Sequence, residues 1–203
     1  MPAARKVSRP SQSPPVRVRS DIVEAATQVF SERGYHAASM TEIADRVGMR
    51  KPSLYHHIRK KEDLLFAIHE QLIDELIEQT TAALDPSMTP PEQMAAVLRV
   101  SFDLIARHRD AVTVFLQERR AVSGARWNEL VVKRDRYEQM VSGIIAEGIA
   151  AKAFADLPAA IAARGVLGMV NWGYTWFDPK GEMTAEQIAD VFVAIALRGL
   201  ERR

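Results

Sequence analysis

Hydrogen-bonding and positively charged side chains are concentrated in a short segment near the amino end of the chain. Arg50, Lys51, Ser53, Tyr55 and His56 all fall between positions 50 and 56. Arginine and lysine bind phosphate oxygens and base edges, while hydroxyl and imidazole groups donate or accept hydrogen bonds in a groove of DNA. The same residue types also form ordinary solvated helix faces. They favour nucleic-acid recognition only where the local structure presents them together.

The elements that would position these side chains are two short helices. Apolar residues at helical spacing predict one helix over residues 40–47, opened by a capping box at Ser39 and Glu42 and ended by Gly48. A second helix is predicted over residues 51–58. Two short helices joined by a tight turn are typical of a helix-turn-helix, whose second helix lies in the major groove of DNA. A generic helical hairpin has the same spacing, so the spacing alone leaves both interpretations open.

Helical periodicity continues on both sides of this motif. Residues 22–30 carry one apolar face, and Gly34 is expected to end the first helix with a positive φ. Further helices are predicted over residues 64–84, 90–107, 110–120, 126–151, 158–177 and 184–200. Because neither strand alternation nor an internal repeat is present, the predicted fold class is all-α, with a three-helix N-terminal domain that contains the helix-turn-helix.

Positive charge is unevenly distributed along the chain. The net charge of the 203 residues is +1, but residues 1–61 contain 12 Lys and Arg against 5 Asp and Glu, and residues 62–203 contain 15 against 21. A basic first third is expected of a protein whose amino end meets a polyanion. Five of those 12 cations lie in residues 1–20. Residues 1–18 are rich in Pro, Ser and Arg and are predicted to form a flexible arm, which either lies near DNA or has no role.

Composition and motifs also exclude several classes of protein. Cysteine is absent, which excludes disulfides and thiolate metal sites, and no apolar run reaches the ~20 residues that span a bilayer. We therefore expect a cytoplasmic protein with no membrane partner. His56 and His57 are adjacent and face different ways on a helix, and His69 lacks a second histidine four residues on, so no metal is expected.

An enzyme is the weakest interpretation of the sequence. It contains no Gly-rich phosphate loop, no Gly-x-Ser-x-Gly motif and no acid pair that we can place in an apolar setting. We expect no cofactor. A helical adaptor that binds only protein is the remaining alternative, although an adaptor would not need the cations and hydroxyls of residues 50–56.

Four segments, residues 22–35, 39–48, 53–57 and 60–65, together resemble the N-terminal domain of the TetR family of transcriptional regulators, in order and in spacing. The resemblance implies a homodimer that binds a pseudo-palindromic operator in double-stranded DNA, usually as a repressor that a small-molecule effector releases. It implies three parts of the chain: a flexible basic arm over residues 1–18, a helix-turn-helix DNA-binding domain over residues 19–63, and a helical ligand-binding and dimerisation domain over residues 64–203.

The resemblance also implies roles for individual residues near phosphate. Ser39 and Thr41, at the start of the first short helix, match positions that usually contact phosphate. Helix amino ends favour such contacts independently, because their free amides and dipole attract anions. Lys61 matches a lysine at the start of the following helix that typically binds phosphate.

The recognition helix of the family supplies the remaining DNA contacts. Tyr55 and His56 fall where that helix meets the backbone and groove, and Arg50, Lys51 and Ser53 occupy the variable positions that read bases. Arg50 departs from the family, which often has a capping Ser or Thr there. Arginine cannot cap a helix in that way, so we expect Arg50 to contact a base or a phosphate directly.

The carboxyl-terminal half resembles regulators of fatty-acid and steroid catabolism that respond to acyl-CoA esters. The resemblance rests on residues 170–177, 179–181 and 184–190. It implies an apolar pocket whose candidate residues, each of which also suits an ordinary core, are Phe102, Phe115, Trp127, Tyr137, Met140, Met169, Asn171, Trp172 and Trp176. The candidates for the phosphate or nucleotide end of the effector are Arg119, Arg120, Arg134 and Arg164. The last two helices, rich in small and apolar residues, are expected to pair the subunits.

Overall fold

The described part of the chain is entirely helical. The computed structural model of the protein describes residues 19–119, 121 and 124–200, and no strand occurs among them, which confirms the all-α prediction. The predicted arm, residues 1–18, lies outside the described residues. In chain order the helices are α1 (Ser20–Arg33), α2 (Met40–Val47), α3 (Lys51–Leu54), α4 (Lys61–Ala83), α5 (Pro90–Arg107), α6 (Arg109–Gln117), α7 (Gly124–Ala150), α8 (Ala159–Asn171), α9 (Gly173–Trp176) and α10 (Ala185–Leu200).

Local signals place the ends of α1 and α2 as predicted. The apolar face of α1 is buried, and Gly34 follows the helix with φ of 78°. Ser39 caps α2, where its Oγ accepts from the Glu42 backbone N–H at 3.1 Å and its own N–H donates to Glu42 Oε2 at 2.9 Å. Gly48 ends α2 in the left-handed region, with φ of 70° and ψ of 27°, a conformation that glycine adopts without steric cost.

The second short helix is shorter than predicted. α3 ends at Leu54 rather than at position 58. Beyond it the backbone tightens, because His56 N–H donates to Ser53 O at 3.2 Å and His57 N–H to Leu54 O at 3.0 Å. These bonds join residues three apart and form a turn in place of α-helix. Leu54 and Ile58 are nevertheless buried, as the helical spacing predicted.

α4 connects the amino-terminal helices to the rest of the chain without interruption. Its first turn is fixed by the buried Asp63, whose Oδ2 accepts from the backbone N–H groups of Arg59 at 3.1 Å and Lys60 at 3.0 Å. The other carboxylate oxygen accepts from the Arg126 guanidinium of α7. The predicted boundary after residue 63 therefore lies within a continuous helix.

α5 lies at the centre of the larger bundle and packs against α4, α7, α8 and α10. Its buried face includes Met94, Leu98, Phe102 and Ile105. α6 packs against both α1 and α4. It is therefore the helix through which the bundle contacts the amino-terminal helices most directly.

The single helix predicted over residues 158–177 is wrong, because the chain divides at Trp172 into α8 and α9. Trp172 O accepts both the Thr175 backbone N–H at 3.1 Å and Thr175 Oγ1 at 2.7 Å, an arrangement that bends helices. Gly173 packs against α5, where a Cβ would lie 2.8 Å from Phe102 Cε2. A tertiary contact thus helps to fix the division.

Candidate nucleic-acid interface and ligand cavity

The polar residues around α3 are on the surface and lie together. Arg50, Lys51, Tyr55 and His56 are exposed, and Ser53 is half-buried. The buried Leu54 anchors this segment to the amino-terminal helices. Arg50 precedes α3 and makes no side-chain cap, as expected for arginine at that position. The structure brings together all of the residues that the sequence assigned to the recognition helix.

The cations of this surface differ in whether the protein already neutralises them. Arg46 of α2 forms a two-pronged ion pair with Glu32 of α1, with both N–O distances at 2.8 Å. Arg50 and Lys51 have no ion-pair partner among the described residues. Unpaired, exposed cations are free to neutralise an external anion. The available positive charge of the motif is therefore concentrated at the start of α3.

Ser39 and Thr41 are both exposed at the amino end of α2. Ser39 is committed to the capping box, whose hydrogen bonds lower the pKa of the Glu42 carboxyl. The carboxylate is therefore charged at neutral pH and stabilises the positive end of the helix. Thr41 takes no part in this capping box, so it is the freer of the two predicted phosphate contacts.

The Lys61 ammonium is occupied by the protein itself. Its Nζ donates to the carbonyl oxygens of Tyr35 at 2.6 Å, His36 at 3.1 Å and Ala38 at 2.8 Å. It also lies 4.7 Å from the centroid of the Tyr35 ring. Because an ammonium has three hydrogens, all of them are used in the loop between α1 and α2. A phosphate contact from Lys61 stays a prediction, and it would require at least one of these bonds to break.

A cavity of about 260 Å³ lies among α4, α5, α6, α7 and α8. Most of its buried wall is apolar, with Leu72 and Ile73 from α4, Leu104 and Ile105 from α5, and Val112 from α6. Apolar walls with a few placed polar groups are typical of small-molecule sites. The sequence-predicted candidates that line this cavity are Phe115, Tyr137, Asn171 and Arg164, together with Arg119 and Arg134.

The other predicted pocket residues lie elsewhere. Phe102 is fully buried in an aromatic cluster with Trp176, Phe177 and Phe192. Trp127, Met140 and Met169 are half-buried and pack on the core, Trp172 and Trp176 are exposed, and Arg120 lies outside the described residues. Ser101 also lines the cavity, although it was not among the residues predicted from the sequence. A serine among apolar residues on the buried face of α5 was the available signal.

Three arginines and two acids surround the exposed side of the cavity. Arg164 is paired with Glu138 at 2.7 Å, whereas Arg119 and Arg134 have no ion-pair partner among the described residues. Burial, and after it the charge of Arg119, lowers the pKa of the Arg134 guanidinium. Arg134 also lies 5.7 Å from the centroid of the Phe115 ring. Two neighbouring guanidinium groups without a shared carboxylate favour an anion at this rim.

Glu118 connects the cavity wall to the loop between α1 and α2. It follows directly after α6, and its Oε1 accepts from the Tyr35 backbone N–H at 3.0 Å. Ser31 of α1 donates to Asp110 of α6 at 3.0 Å. The same helix contributes Phe115 to the cavity. α6 therefore contacts the cavity and the amino-terminal helices at once, through a glutamate that the sequence did not single out.

The outer faces of α8 and α10 expose large apolar side chains. Trp172 is 65% exposed and Ile161 is 61% exposed, and Val191 and Ile195 of α10 are about half exposed. Ala160, Gly165, Gly168, Ala194 and Gly199 share the exposed sides of these helices. Small residues permit close approach of another helix, and contiguous exposed apolar surface is typical of an interface. Arg164 and Asn171 place this face next to the cavity rim.

Metal sites and membrane-spanning helices are both absent from the described residues. No group of three or more His, Asp or Glu side chains is arranged to hold a metal ion. None of the helices in the described ranges has the length and hydropathy needed to cross a membrane.

Comparison with protein families covers both parts of the molecule. A family described as "Tetracyclin repressor-like, C-terminal domain" matches residues 87–200, and one described as "Bacterial regulatory proteins, tetR family" matches residues 22–68. The chain belongs to the TetR family. The resemblance of its amino-terminal segments is thus confirmed, and so is the expectation that it is not an enzyme, because TetR-family proteins are DNA-binding regulators.

Relatives of this TetR-family protein match it over nearly its whole length. The HTH-type transcriptional repressor KstR2 of Mycolicibacterium smegmatis is 28% identical over 193 residues, which cover 94% of this chain and 93% of KstR2. The ketosteroid transcriptional regulator KstR2 of Mycobacterium tuberculosis has a TM-score of 0.84 at 26% identity, covering 90% and 94% of the two chains. AibR, solved with isovaleryl coenzyme A and operator DNA, has a TM-score of 0.80 at 32% identity, covering 86% and 95%. The likeness of the carboxyl-terminal half to lipid and steroid regulators agrees with these names.

Proposed function

We propose that this TetR-family protein is a repressor that binds a pseudo-palindromic operator as a homodimer and is released by an acyl-CoA thioester. The observation that carries the proposal is the pair of unneutralised cations, Arg50 and Lys51, exposed at the start of α3 beside Tyr55 and His56. We assign DNA binding to residues 19–63 and effector binding and dimerisation to residues 64–203. Binding to chromosomal DNA would place the protein in the cytoplasm.

In this proposal the amino-terminal contacts divide by chemistry. Arg50, Lys51 and Ser53 read base edges in the major groove, where arginine and lysine recognise guanine. Tyr55 and His56 contact the sugar-phosphate backbone and the groove. Ser39 and Thr41, at the amino end of α2, hold phosphate and fix the register of the protein on the duplex.

The effector proposal rests on the cavity and its charged rim. A volume of about 260 Å³ is slightly below the range of small-molecule pockets, which span roughly 300–1,000 Å³. Such a cavity suits a short acyl group and leaves no room for the nucleotide of coenzyme A, which must stay outside. Arg119 and Arg134 at the rim would bind its phosphates, with Arg164 beside them. The complex of AibR with isovaleryl coenzyme A supports this choice of class.

The route from effector to DNA would run through α6. An acyl group that enters the cavity must contact Phe115, and Glu118 holds the Tyr35 backbone from the end of the same helix. The loop that contains Tyr35 leads directly into the capping box of α2. Displacement of α6 would therefore alter the spacing of the two recognition segments in the dimer, which lowers operator affinity.

The dimer would form through α8 and α10. Their exposed apolar side chains and small residues provide the self-complementary surface that a two-fold interface requires. The family described as "Tetracyclin repressor-like, C-terminal domain" matches residues 87–200, a range that includes both helices. Pairing there would also bring two α3 segments onto one duplex, as a pseudo-palindromic operator demands.

The DNA-binding proposal is tested by fluorescence anisotropy with random duplex DNA over a range of salt concentrations. We expect log affinity to fall steeply and linearly with log salt, because bound counterions are released. Arg50→Gln should reduce that slope, whereas Arg136→Gln, the same charge change on the exposed face of α7, should not. A protein adaptor would show no salt-dependent binding, and that result would remove DNA recognition from the proposal.

The effector proposal is tested by calorimetry with a panel of short-chain acyl-CoA esters and the matching free acids. We expect heat from one or more esters, and a loss of affinity for an operator selected in vitro when that ester is present. The variant Arg134→Gln should weaken ester binding, while Arg136→Gln, two residues along α7, should leave it unchanged. If no ester of the panel produces heat, acyl-CoA is not the effector class.

A further inference from the structure

The inner wall of the ligand cavity is apolar except at one place. Ser101 of α5 and Tyr137 of α7 both line it, each is only 6% exposed, and their hydroxyl oxygens lie 2.9 Å apart. The exposed residues of the lining, among them Arg119, Arg164 and Asn171, mark the opposite, solvent side. The cavity therefore has a charged rim and a hydroxyl pair, Ser101 and Tyr137, in its interior.

The hydrogen bonds of this hydroxyl pair leave the Tyr137 oxygen able to accept a further hydrogen bond. Ser101 Oγ donates its hydrogen to Val97 O at 2.7 Å, so in the pair it accepts from the Tyr137 O–H. The Tyr137 oxygen then retains acceptor capacity towards the cavity. Burial raises the pKa of Tyr137, so this group remains a neutral hydroxyl at physiological pH.

A third hydroxyl borders the pair. Thr80 of α4 lies near enough to the Tyr137 hydroxyl to oppose the rise of its pKa. Its Oγ1 is nevertheless fully buried and makes no hydrogen bond of normal geometry with the described residues. A buried hydroxyl without a hydrogen-bond partner lowers the stability of the protein. A small movement would let Thr80 donate to the Tyr137 oxygen, which as a phenolic oxygen keeps a second lone pair for the cavity.

We infer that the cavity selects an acyl group with a hydroxyl at its far end over the corresponding plain hydrocarbon chain. The anionic end of the effector lies at the arginine rim, the apolar body contacts Leu104 and Ile105, and the terminal hydroxyl donates to the Tyr137 oxygen. This inference rests on the proposed effector site and specifies what the site distinguishes. A ligand hydroxyl that enters an apolar cavity without a hydrogen-bond partner would lower the affinity of the ligand.

A purely structural interpretation makes a different prediction. If the pair only ties α5 to α7, removal of the tyrosine hydroxyl lowers stability and weakens plain and hydroxylated ligands equally. If the pair hydrogen-bonds the ligand, the same change weakens the binding of the hydroxylated ligand only. The preference between two ligands, measured on one variant, therefore separates recognition from stability.

The experiment uses calorimetry of the whole protein with plain and terminally hydroxylated acyl groups, from butanoyl to octanoyl, each as the CoA ester and as the free acid. We expect the hydroxylated member of the best-bound pair to bind about 5- to 10-fold tighter, the worth of one buried hydrogen bond. Tyr137→Phe should abolish that preference. The control Tyr174→Phe, which removes a hydroxyl from α9 outside the cavity, should retain it.

The two forms of the ligand distinguish failure of the inference from failure of the effector class. Esters that bind with no preference for the hydroxyl, or a preference that survives Tyr137→Phe, would overturn the inference and leave the acyl-CoA proposal standing. A tyrosine-dependent preference seen only among the free acids would support the inference and reject coenzyme A. If nothing binds to the wild-type protein, both are wrong.

Discussion

Replacing Lys61 by methionine separates a structural role of this residue from a phosphate contact. The ammonium donates three hydrogen bonds to backbone carbonyls of the loop between α1 and α2. Hydrogen bonds to charged groups contribute about 1.5–3 kcal/mol each. Two effects reduce this loss of stability. The Lys61 side chain is only partly buried, so the three carbonyls bind water when the ammonium is absent. The variant also no longer has to fix the lysine side chain in one rotamer, which costs about 2 kcal/mol of conformational entropy. We therefore expect Lys61→Met to lower the free energy of unfolding by about 2 kcal/mol.

The assay combines unfolding by urea and by heat with the salt dependence of DNA binding. A loss of about 2 kcal/mol should lower Tm by about 4–8 °C in a protein of this size. If the ammonium keeps its three carbonyl bonds when DNA binds, it neutralises no phosphate, and the slope of log affinity against log salt should stay at the wild-type value. The matched variant Arg50→Met should show the opposite pattern. Its salt slope should be reduced by about 0.9 per lost phosphate contact, or about 1.8 per dimer, and its free energy of unfolding should change by less than about 0.5 kcal/mol.

One result would refute the argument about Lys61. If Lys61→Met unfolds at the wild-type urea concentration but reduces the salt slope by about two, the ammonium leaves its carbonyls when DNA binds. The family-based phosphate role would then be correct, and the bonds of the unbound structure would be irrelevant to the complex.

Further predictions concern coupling, assembly and pH. Glu118→Ala removes the carboxylate that accepts the Tyr35 N–H. The ratio of operator affinities without and with effector should then fall by at least half, while the effector affinity measured by calorimetry stays unchanged. A ratio equal to that of the wild type contradicts the α6 route. Trp172→Asp charges the exposed face of α8, so sedimentation should show a folded monomer, and a persistent dimer would place the interface elsewhere. Burial lowers the pKa of His69 in the folded state, so only the unfolded chain gains its proton below about pH 6.5. Stability should therefore fall with decreasing pH by up to about 1.4 kcal/mol per unit from this group, and urea titrations of His69→Leu should lack that contribution; identical pH profiles would contradict it.

Features set by neighbouring residues could be predicted from the sequence. The capping box of Ser39 and Glu42 forms as its spacing indicated. The sequence Thr184-Ala-Glu-Gln187 has the same spacing, and there the Thr184 N–H donates to Gln187 Oε1 at 2.9 Å. The left-handed Gly48 follows from the same local rules. Such signals fix helix ends because both partners lie within one turn of the chain.

Features that depend on distant contacts could not be predicted in this way. The division at Trp172 depends partly on Phe102, and the bond between Glu118 and Tyr35 joins residues 83 positions apart. Aromatic type alone was a poor guide to the cavity. Phe102 is needed for packing against α9, while the cavity wall uses aliphatic residues of α4 and α5 that an amphipathic pattern cannot distinguish from ordinary core.

The position of α6 explains why a small cavity could control a distant DNA surface. At its amino end, Arg109 donates to the Tyr174 carbonyl of α9 at 3.2 Å, and the neighbouring Asp110 accepts from Ser31 of α1 at 3.0 Å. That end therefore contacts both the large bundle and the amino-terminal helices. At its carboxyl end, Glu118 holds the Tyr35 backbone of the amino-terminal helices. Phe115, which lines the cavity, lies only one turn from Glu118. Because packed helices move as rigid bodies, a ligand that displaces Phe115 would move a helix that is hydrogen-bonded at both ends to the amino-terminal helices.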